Sequence, residues 1–285
     1  MRYAINQPIR SGDWQTLRVW IIGASMGIGA ALAEQLSALG ARIILSGRNA
    51  DNLGVVANKC RAHPESESYV IPFDVSDNHQ ISMAVSEVNT IWQGVDLVIY
   101  NAGTYEATRV DTLSPESAEQ SLRVNLLAPI ALTASALPLL TCSLEDTKPR
   151  GFAYVASVAG YRGLPRALTY GPGKAGLISF AESLWVDLKG LGLNTWIINP
   201  GFVRTRLTAQ NTFAMPALIE PEEAATLIIR GFAKGHFEIH FPARFSWFMK
   251  LLRVLPIHWF LRLSKRLVPS LSRTQLTSKP PSKME

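Results

Sequence analysis

The chain is poor in cysteine: two residues in 285, Cys60 and Cys142, far apart in sequence. They exclude a disulfide scaffold and offer no cysteine metal cluster, so no metal site is expected. A reducing compartment is the simplest setting. A secretory leader is not expected either. Residues 1–17 mix Arg2, Arg10 and Asp13 with short apolar stretches. Long charge-free runs are scarce. The one near the middle, residues 124–144, is long enough for a bilayer. It contains Asn125, Pro129, Thr133, Ser135, Pro138 and Thr141, which suits a buried helix in a core or a subunit interface. The run 254–261 in the tail is too short to span.

Acids are nearly absent from one end. Residues 239–285 hold 9 Lys+Arg and 1 acid, a charge of +8; residues 1–238 hold 19 and 21, or −2; together they give the net +6. The body is therefore close to neutral, and the question of an anionic partner concerns the tail alone. At 47% hydrophobic and 18% charged, with Gly 20 and Pro 17, the chain is globular. Disorder throughout and collagen-like repeats are excluded.

What is present is alternation. Residues 18–22, 42–45, 69–73, 96–100, 152–156 and 194–198 read as short buried strands, and 237–240 as a last one. Between them lie helical patterns at 28–39, 49–62, 76–90, 114–140, 169–189 and 222–234. Strand–helix alternation predicts an α/β fold with a doubly wound parallel sheet between helical layers, three layers α/β/α. One domain over residues 1–240 fits, followed by a helical extension over 241–285. Ligands of such sheets bind at the carboxyl ends of the strands.

The strand ends are therefore where chemistry is expected. After the first comes Gly23-Ala-Ser25-Met26-Gly27-Ile28-Gly29, a turn whose glycines let a backbone approach a pyrophosphate at a helix N-terminus. The spacing GxxxGxG also serves close packing. No acid occurs between Glu34 and Asp51, where an NAD site places one for the ribose hydroxyls. Arg48 stands there instead, and a guanidinium can pair with a 2′-phosphate, which favours NADP(H) over NAD(H). The plainer reading of Arg48 is a solvated surface arginine. Asp74-Val75 ends the third strand, and Asp74 can accept from an adenine amino group or cap a helix. Asn101-Ala102-Gly103 ends the fourth and allows close backbone approach.

Ser157 ends the fifth strand, and Tyr170 and Lys174 follow four apart on one helical face. A free tyrosine, with a pKa of about 10, is a poor base. A nearby ammonium favours the phenolate. Ser157 can hold a carbonyl oxygen while Tyr170 delivers its proton.

With these residues in this order, residues 16–240 resemble the short-chain dehydrogenase/reductase family. The resemblance is carried by Gly23-x-x-x-Gly27-x-Gly29, Asn101-Ala-Gly103, Asn125, Ser157, Tyr170-x-x-x-Lys174 and Pro200-Gly201. It implies a Rossmann-type sheet of seven parallel strands and a catalytic tetrad of Asn125, Ser157, Tyr170 and Lys174. Tyr170 is then the acid in reduction and the base in oxidation. Ser157 polarises the substrate oxygen, and Lys174 lowers the Tyr170 pKa and binds the nicotinamide ribose. Asn125 holds a relay water. The resemblance also places Pro200, Gly201, Val203 and Thr205 near the nicotinamide, and implies a homodimer or homotetramer through helices around 114–140 and 169–189. A non-catalytic nucleotide sensor or scaffold on the same fold is the rival reading; such proteins tend to lose tetrad residues, and here none is missing.

Two departures stand out. Ile22 replaces a threonine whose hydroxyl braces the glycine loop against the fourth strand. Gly171-Pro172-Gly173, between the catalytic pair, predicts a helix that starts late, near Pro172, or bends there.

The substrate is expected to be a small apolar carbonyl compound or alcohol, lipid-like in the extreme. The lid after the sixth strand carries Phe202, Leu207, Phe213, Met215, Leu218 and Ile219. Tyr105, Tyr161 and Leu164 are candidates for the same pocket. The tail forms two amphipathic segments, 245–255 and 257–268, rich in Lys and Arg and carrying Trp247, Phe248, Trp259 and Phe260. They suit an anionic membrane surface rather than nucleic acid, on a cytoplasmic protein peripheral to the inner face of a membrane. Packing on the lid or a second subunit is the alternative. Residues 274–285 are expected to be disordered.

Overall fold

The computed structural model describes residues 5–63, 66–142, 147–211 and 215–266. Phe213, Leu267 and Val268, expected in the lid and on the tail's apolar face, lie outside these residues, as does the stretch 274–285.

Seven parallel strands form one sheet in the order β3-β2-β1-β4-β5-β6-β7. They are β1 Arg18–Ile22, β2 Arg42–Gly47, β3 Ser68–Pro72, β4 Leu97–Tyr100, β5 Gly151–Val155, β6 Asn194–Pro200 and β7 Glu238–Phe241. The connecting helices are α1 Gly27–Ala38, α2 Ala50–Arg61, α3 Asn78–Trp92, α4 Pro115–Leu122, α5 Ala128–Thr141, α6 Tyr170–Lys189 and α7 Pro221–Lys234. Two further helices, α8 Ala243–Val254 and α9 Ile257–Lys265, end the described chain.

The strands are apolar throughout because both faces are covered. Alternate residues of β1 point opposite ways. Val19 and Ile21 join one core with Ile43, Leu45, Trp196 and Phe232, beneath α1, α2 and α7. Trp20 and Ile22 join the other with Tyr100, Phe152, Tyr154 and Leu177, beneath α3, α5 and α6. Three layers follow directly.

Helix ends follow local chemistry. Asn49 caps α2 by accepting from Asn52 N, and Asp77 caps α3 by accepting from His79 N. Pro172 does not delay α6. The helix begins at Tyr170, and Pro172 falls in its first turn, where its missing N–H has no helical partner to lose. Gly171 N already donates to Ala167 O at 2.9 Å, so the Tyr170-to-Lys174 turn is regular.

The expected single helix over 114–140 is interrupted by a π-turn, Arg123–Leu127. Pro129 has no N–H with which to close an ordinary helical bond to the Asn125 carbonyl, which favours the wider turn there. By length and a hydropathy of 1.7 the stretch Pro115–Thr141 could cross a membrane, yet half of its most apolar window is buried inside the molecule. Leu132, Ala136, Leu139 and Leu140 all lie in the core.

The amino end of the sheet is pinned by a buried ion cluster. Asp96 accepts from Arg18 Nε and Nη2 at 3.0 Å each and from Arg150 Nε at 3.0 Å. Burial opposes the charge, but the Arg18 hydrogen bonds and both guanidiniums hold the carboxyl below its usual range. Asp96→Asn removes the carboxylate from two largely buried cations. Urea unfolding should register a loss of about 3–5 kcal/mol; a loss below about 1 kcal/mol would mean the cluster does not hold this end of the sheet.

Candidate active site

The opposite, carboxyl end carries the site. Strand order switches between β1 and β4, which opens a crevice there. Its floor is two turns packed backbone to backbone. A Cβ on Gly23, which has φ +85°, would lie 2.5 Å from Ala102 N. One on Gly29 would lie 2.2 Å from Gly23 O. Only glycine fits either position.

Asn101 ties the turns together. Its backbone N donates to Ile22 O at 2.8 Å and its Nδ2 to Gly23 O at 2.7 Å. The brace that Ile22 cannot give therefore comes from Asn101.

Met26 caps α1 with extended backbone and no side-chain acceptor, and no acid stands in the first turn. First-turn amides without a side-chain cap, beside a glycine cradle, fit a pyrophosphate. Ile28 turns into the core, so only its backbone is available to a ligand. Ser25 lies against Gly47 at the end of β2.

Arg48 follows β2 and is exposed, with Nη1 4.0 Å from Asp74 Oδ2. The other Asp74 oxygen accepts from Ser76 N at 2.8 Å and Ser76 Oγ at 2.7 Å. Asp74 thus organises its own turn while Asp77 caps α3. Val75 beside it is buried.

From the other side, Thr205 closes over the glycine turn. Its Cγ2 is 3.0 Å from where a Cβ on Gly27 would stand. Thr205 N is held by Thr208 Oγ1 at 3.0 Å, and Gly201 N by Phe241 O at 2.7 Å. Pro200 ends β6. Val203 points into the core, so its backbone alone can face a cofactor.

The four tetrad positions converge behind this crevice. Asn125, in the π-turn, is buried. Its Nδ2 donates to Thr104 O at 2.8 Å and Ser121 O at 2.9 Å. Lys174 Nζ, also buried, donates to Val155 O at 2.8 Å. A Cβ on Gly103 would meet Asn125 Oδ1 at 3.2 Å and Lys174 Nζ at 3.5 Å, so the Asn101–Gly103 turn lies directly over both. Lys174 Nζ stands 5.7 Å from the centre of the Tyr170 ring. Ser157 Oγ accepts from Ala159 N at 3.1 Å, and Ser157 and Tyr170 line the same cavity.

Electrostatics differ from the expected pattern. Burial pushes the Tyr170 phenol up to about 12, and the neighbouring Ser157 hydroxyl works against that rise. Burial pushes the Lys174 ammonium down to about 7. The expected lowering of Tyr170 by Lys174 is not present in this arrangement: a lysine so desolvated carries only part of its charge near neutrality.

Tyr170 and Ser157 open onto an apolar cavity of about 450 Å³. Tyr105, Leu164, Phe202 and Leu207 line it, as expected. The Tyr105 ring meets Tyr170 edge-on at 5.1 Å. Tyr161 does not line it. It ends the short turn after Ser157, is buried, and gives its hydroxyl to Glu238.

Phe245 was not expected. It comes from α8, lines the cavity and packs on Phe202 with centroids 5.4 Å apart. The signal was available: Phe245, Met249 and Leu252 share one face at helical spacing. Thr208 and Asn211 also line the cavity, and polar residues in a lid gave no warning.

Comparison with known proteins agrees. The model of the short chain dehydrogenase family matches residues 18–215. An uncharacterized oxidoreductase of Myxococcus xanthus (strain DK1622) is 32% identical over 247 residues, covering 87% of this chain and 96% of that one. The RhlG/NADP active-site complex of Pseudomonas aeruginosa superposes with TM-score 0.71 at 24% identity, covering 80% of this chain and 96% of that one. A 3-oxoacyl-[acyl-carrier protein] reductase from Brucella melitensis in complex with NAD gives 0.70 at 24%, covering 79% and 95%.

Proposed function

The chain belongs to the short-chain dehydrogenase family, and from that premise we propose that it is an NADP(H)-dependent oxidoreductase interconverting a carbonyl and a secondary alcohol on an apolar substrate. The observation that carries the reading is the Tyr170–Ser157 hydroxyl pair at the wall of an apolar cavity, with Lys174 buried behind it.

The roles follow from position. Bound NADPH supplies a hydride to the carbonyl carbon. Ser157 donates to the carbonyl oxygen and orients it. Tyr170 would give that oxygen its proton, so that hydride and proton together turn the ketone into the alcohol. Lys174, beneath Gly103, returns a proton to Tyr170 from the far side, and Asn125 would hold the water that links Lys174 to the relay. Leu164, Phe202, Leu207 and Phe245 exclude water from the reacting carbon. Gly23, Gly27 and Gly29 with the α1 amides would hold the pyrophosphate, and Asp74 and Val75 would stand by the adenine.

The phosphate preference rests on Arg48, since the solved neighbours include both NAD and NADP complexes. Arg48→Ala removes a charge-assisted pair with the 2′-phosphate. NADPH affinity should fall roughly tenfold to a hundredfold while NADH affinity stays within about threefold. Titration calorimetry with both nucleotides decides it. Equal losses for the two, or tighter NADH binding by the wild type, would defeat the preference.

We further place the protein in the cytoplasm as a homodimer or homotetramer through α4, α5 and α6, with its basic end against the inner face of a membrane. Exposed Leu127, Ile130 and Val186 support the oligomer. Two cysteines in 285 residues, far apart in sequence, support the compartment.

A further inference from the structure

The two faces of α8 have different fates. Its inner face is fastened to the body. Phe245 walls the cavity and Met249 is buried in the core. Lys250 Nζ pairs with Glu238 Oε2 at 2.6 Å, and Ser246 Oγ meets His240 Nδ1 at 2.7 Å. Arg162 clamps the corner between α8 and α9. Its Nη2 donates to Leu255 O at 3.1 Å, and its guanidinium lies 4.6 Å from the Phe260 ring centre. Packing on the body, one of the two expected fates of the tail, thus holds for this face.

Among the described residues, nothing covers the outer face. Phe248 is 52% exposed, Leu251 63% and Val254 76%; on α9, Trp259 is 66% and Leu261 55%. Phe260 is the one fully buried residue of α9. A nine-residue helix with a single anchor is marginal in water. Large apolar side chains grouped along two consecutive helices mark a docking surface.

Charge selects the occupant. Residues 239–284 contain no acid, and Arg244, Arg253, Arg262, Lys265 and Arg266, on or just after the same two helices, are all exposed. Pressing two such tails together would set like charges side by side. An anionic lipid surface receives both the aromatics and the cations.

We propose that the outer face of α8 and α9 docks on an anionic bilayer, and that α8, whose other side is the Phe245 wall of the cavity, makes that cavity a site for carbonyl lipids taken from the bilayer. The substrate half rests on the reductase reading; the docking half does not. Helix α8 is then a partition one helix thick between the lipid and the reacting hydroxyls. Phe245 and Phe202 are the pair of rings an entering acyl chain would displace.

The test uses the purified full chain with vesicles of phosphatidylcholine alone and of phosphatidylcholine with phosphatidylglycerol. Co-sedimentation should occur with the anionic vesicles and fall roughly tenfold or more on raising salt to about 0.5 M. The variant Phe248→Ser/Leu251→Ser/Trp259→Ser should lose this binding. It should keep wild-type turnover of a short water-soluble ketone and lose roughly tenfold on a vesicle-borne carbonyl lipid. Arg262→Glu/Lys265→Glu, on exposed positions, should weaken anionic binding even if the triple variant folds poorly. Wild-type protein left in the supernatant with anionic vesicles overturns the proposal. So does a triple variant that changes oligomeric state while both forms partition alike, since a second copy is then the occupant. Vesicle binding without reduction of any carbonyl overturns the substrate half and the reductase reading, and leaves the docking surface standing.

Discussion

Tyr170→Phe should cost roughly a hundred- to ten-thousandfold in kcat while NADPH affinity stays within about threefold. The substitution removes one oxygen. The ring keeps its edge-on contact with Tyr105, and the Ser157 hydroxyl stays on the cavity wall. What is lost is the proton donor alone, so the effect falls on kcat rather than on binding. The pH dependence sharpens this. Burial holds the phenol up to about 12, so it stays protonated at neutral pH, ready to act as an acid in reduction. In the oxidative direction the same oxygen must be deprotonated, so alcohol oxidation should climb as pH rises towards that value. Steady-state rates in both directions across pH 6–10, at saturating nucleotide, check the claim; undiminished turnover by the phenylalanine variant would refute it.

Lys174→Met should abolish most turnover and at the same time change how stability responds to pH. Lys174 is buried with one hydrogen bond, to Val155 O at 2.8 Å. Its folded pKa is about 7, against about 10.4 for an unfolded lysine. Between those values the unfolded chain binds more protons than the folded one, so the stability of nucleotide-free protein rises with pH, by up to about 1.4 kcal/mol per pH unit. Below pH 7 both states hold the proton and the full burial penalty applies. Methionine carries no charge, so its variant should lose this rise while falling roughly a hundredfold or more in kcat. Urea unfolding of both proteins between pH 6.5 and 9.5, without nucleotide, reads the difference. Parallel curves would show that Lys174 does not titrate as a buried base. The lost bond to Val155 offsets part of the gain, so the slope is the sounder observable than the stability at one pH.

Much of this was legible from periodicity and turn chemistry. Strands buried on both faces read as unbroken apolar runs, and Arg18–Ile22 was placed to the residue. Asn49 and Asp77 announce the starts of α2 and α3 because their side chains satisfy helix amides. Gly23, Ser157, Tyr170 and Lys174 stood at strand ends or on one helical face, where local spacing predicts encounter. Asn125 was different: nothing in its spacing marks it, and only the family resemblance did. Its position depends on a π-turn, which a 3.6-residue pattern does not encode. Tyr161 was misplaced because an aromatic near Ser157 in sequence can turn either way, and the Glu238 carboxylate on β7 decides which. Phe245 was overlooked for the opposite reason. Its charge-rich neighbourhood read as an appendage, while the contact that matters, with Phe202, is long-range.

The central claim is that this chain moves a hydride between NADPH and an apolar carbonyl, with Tyr170 handling the proton. The most direct measurement is mass spectrometry of the product after incubation with NADPH deuterated at the reactive nicotinamide carbon. The account predicts an alcohol heavier by one deuterium from the wild type, formed one-for-one with NADP⁺, and none above background from Tyr170→Phe. NADPH that binds but transfers no label to any of a panel of apolar ketones and aldehydes, or equal labelling by the phenylalanine variant, would contradict it.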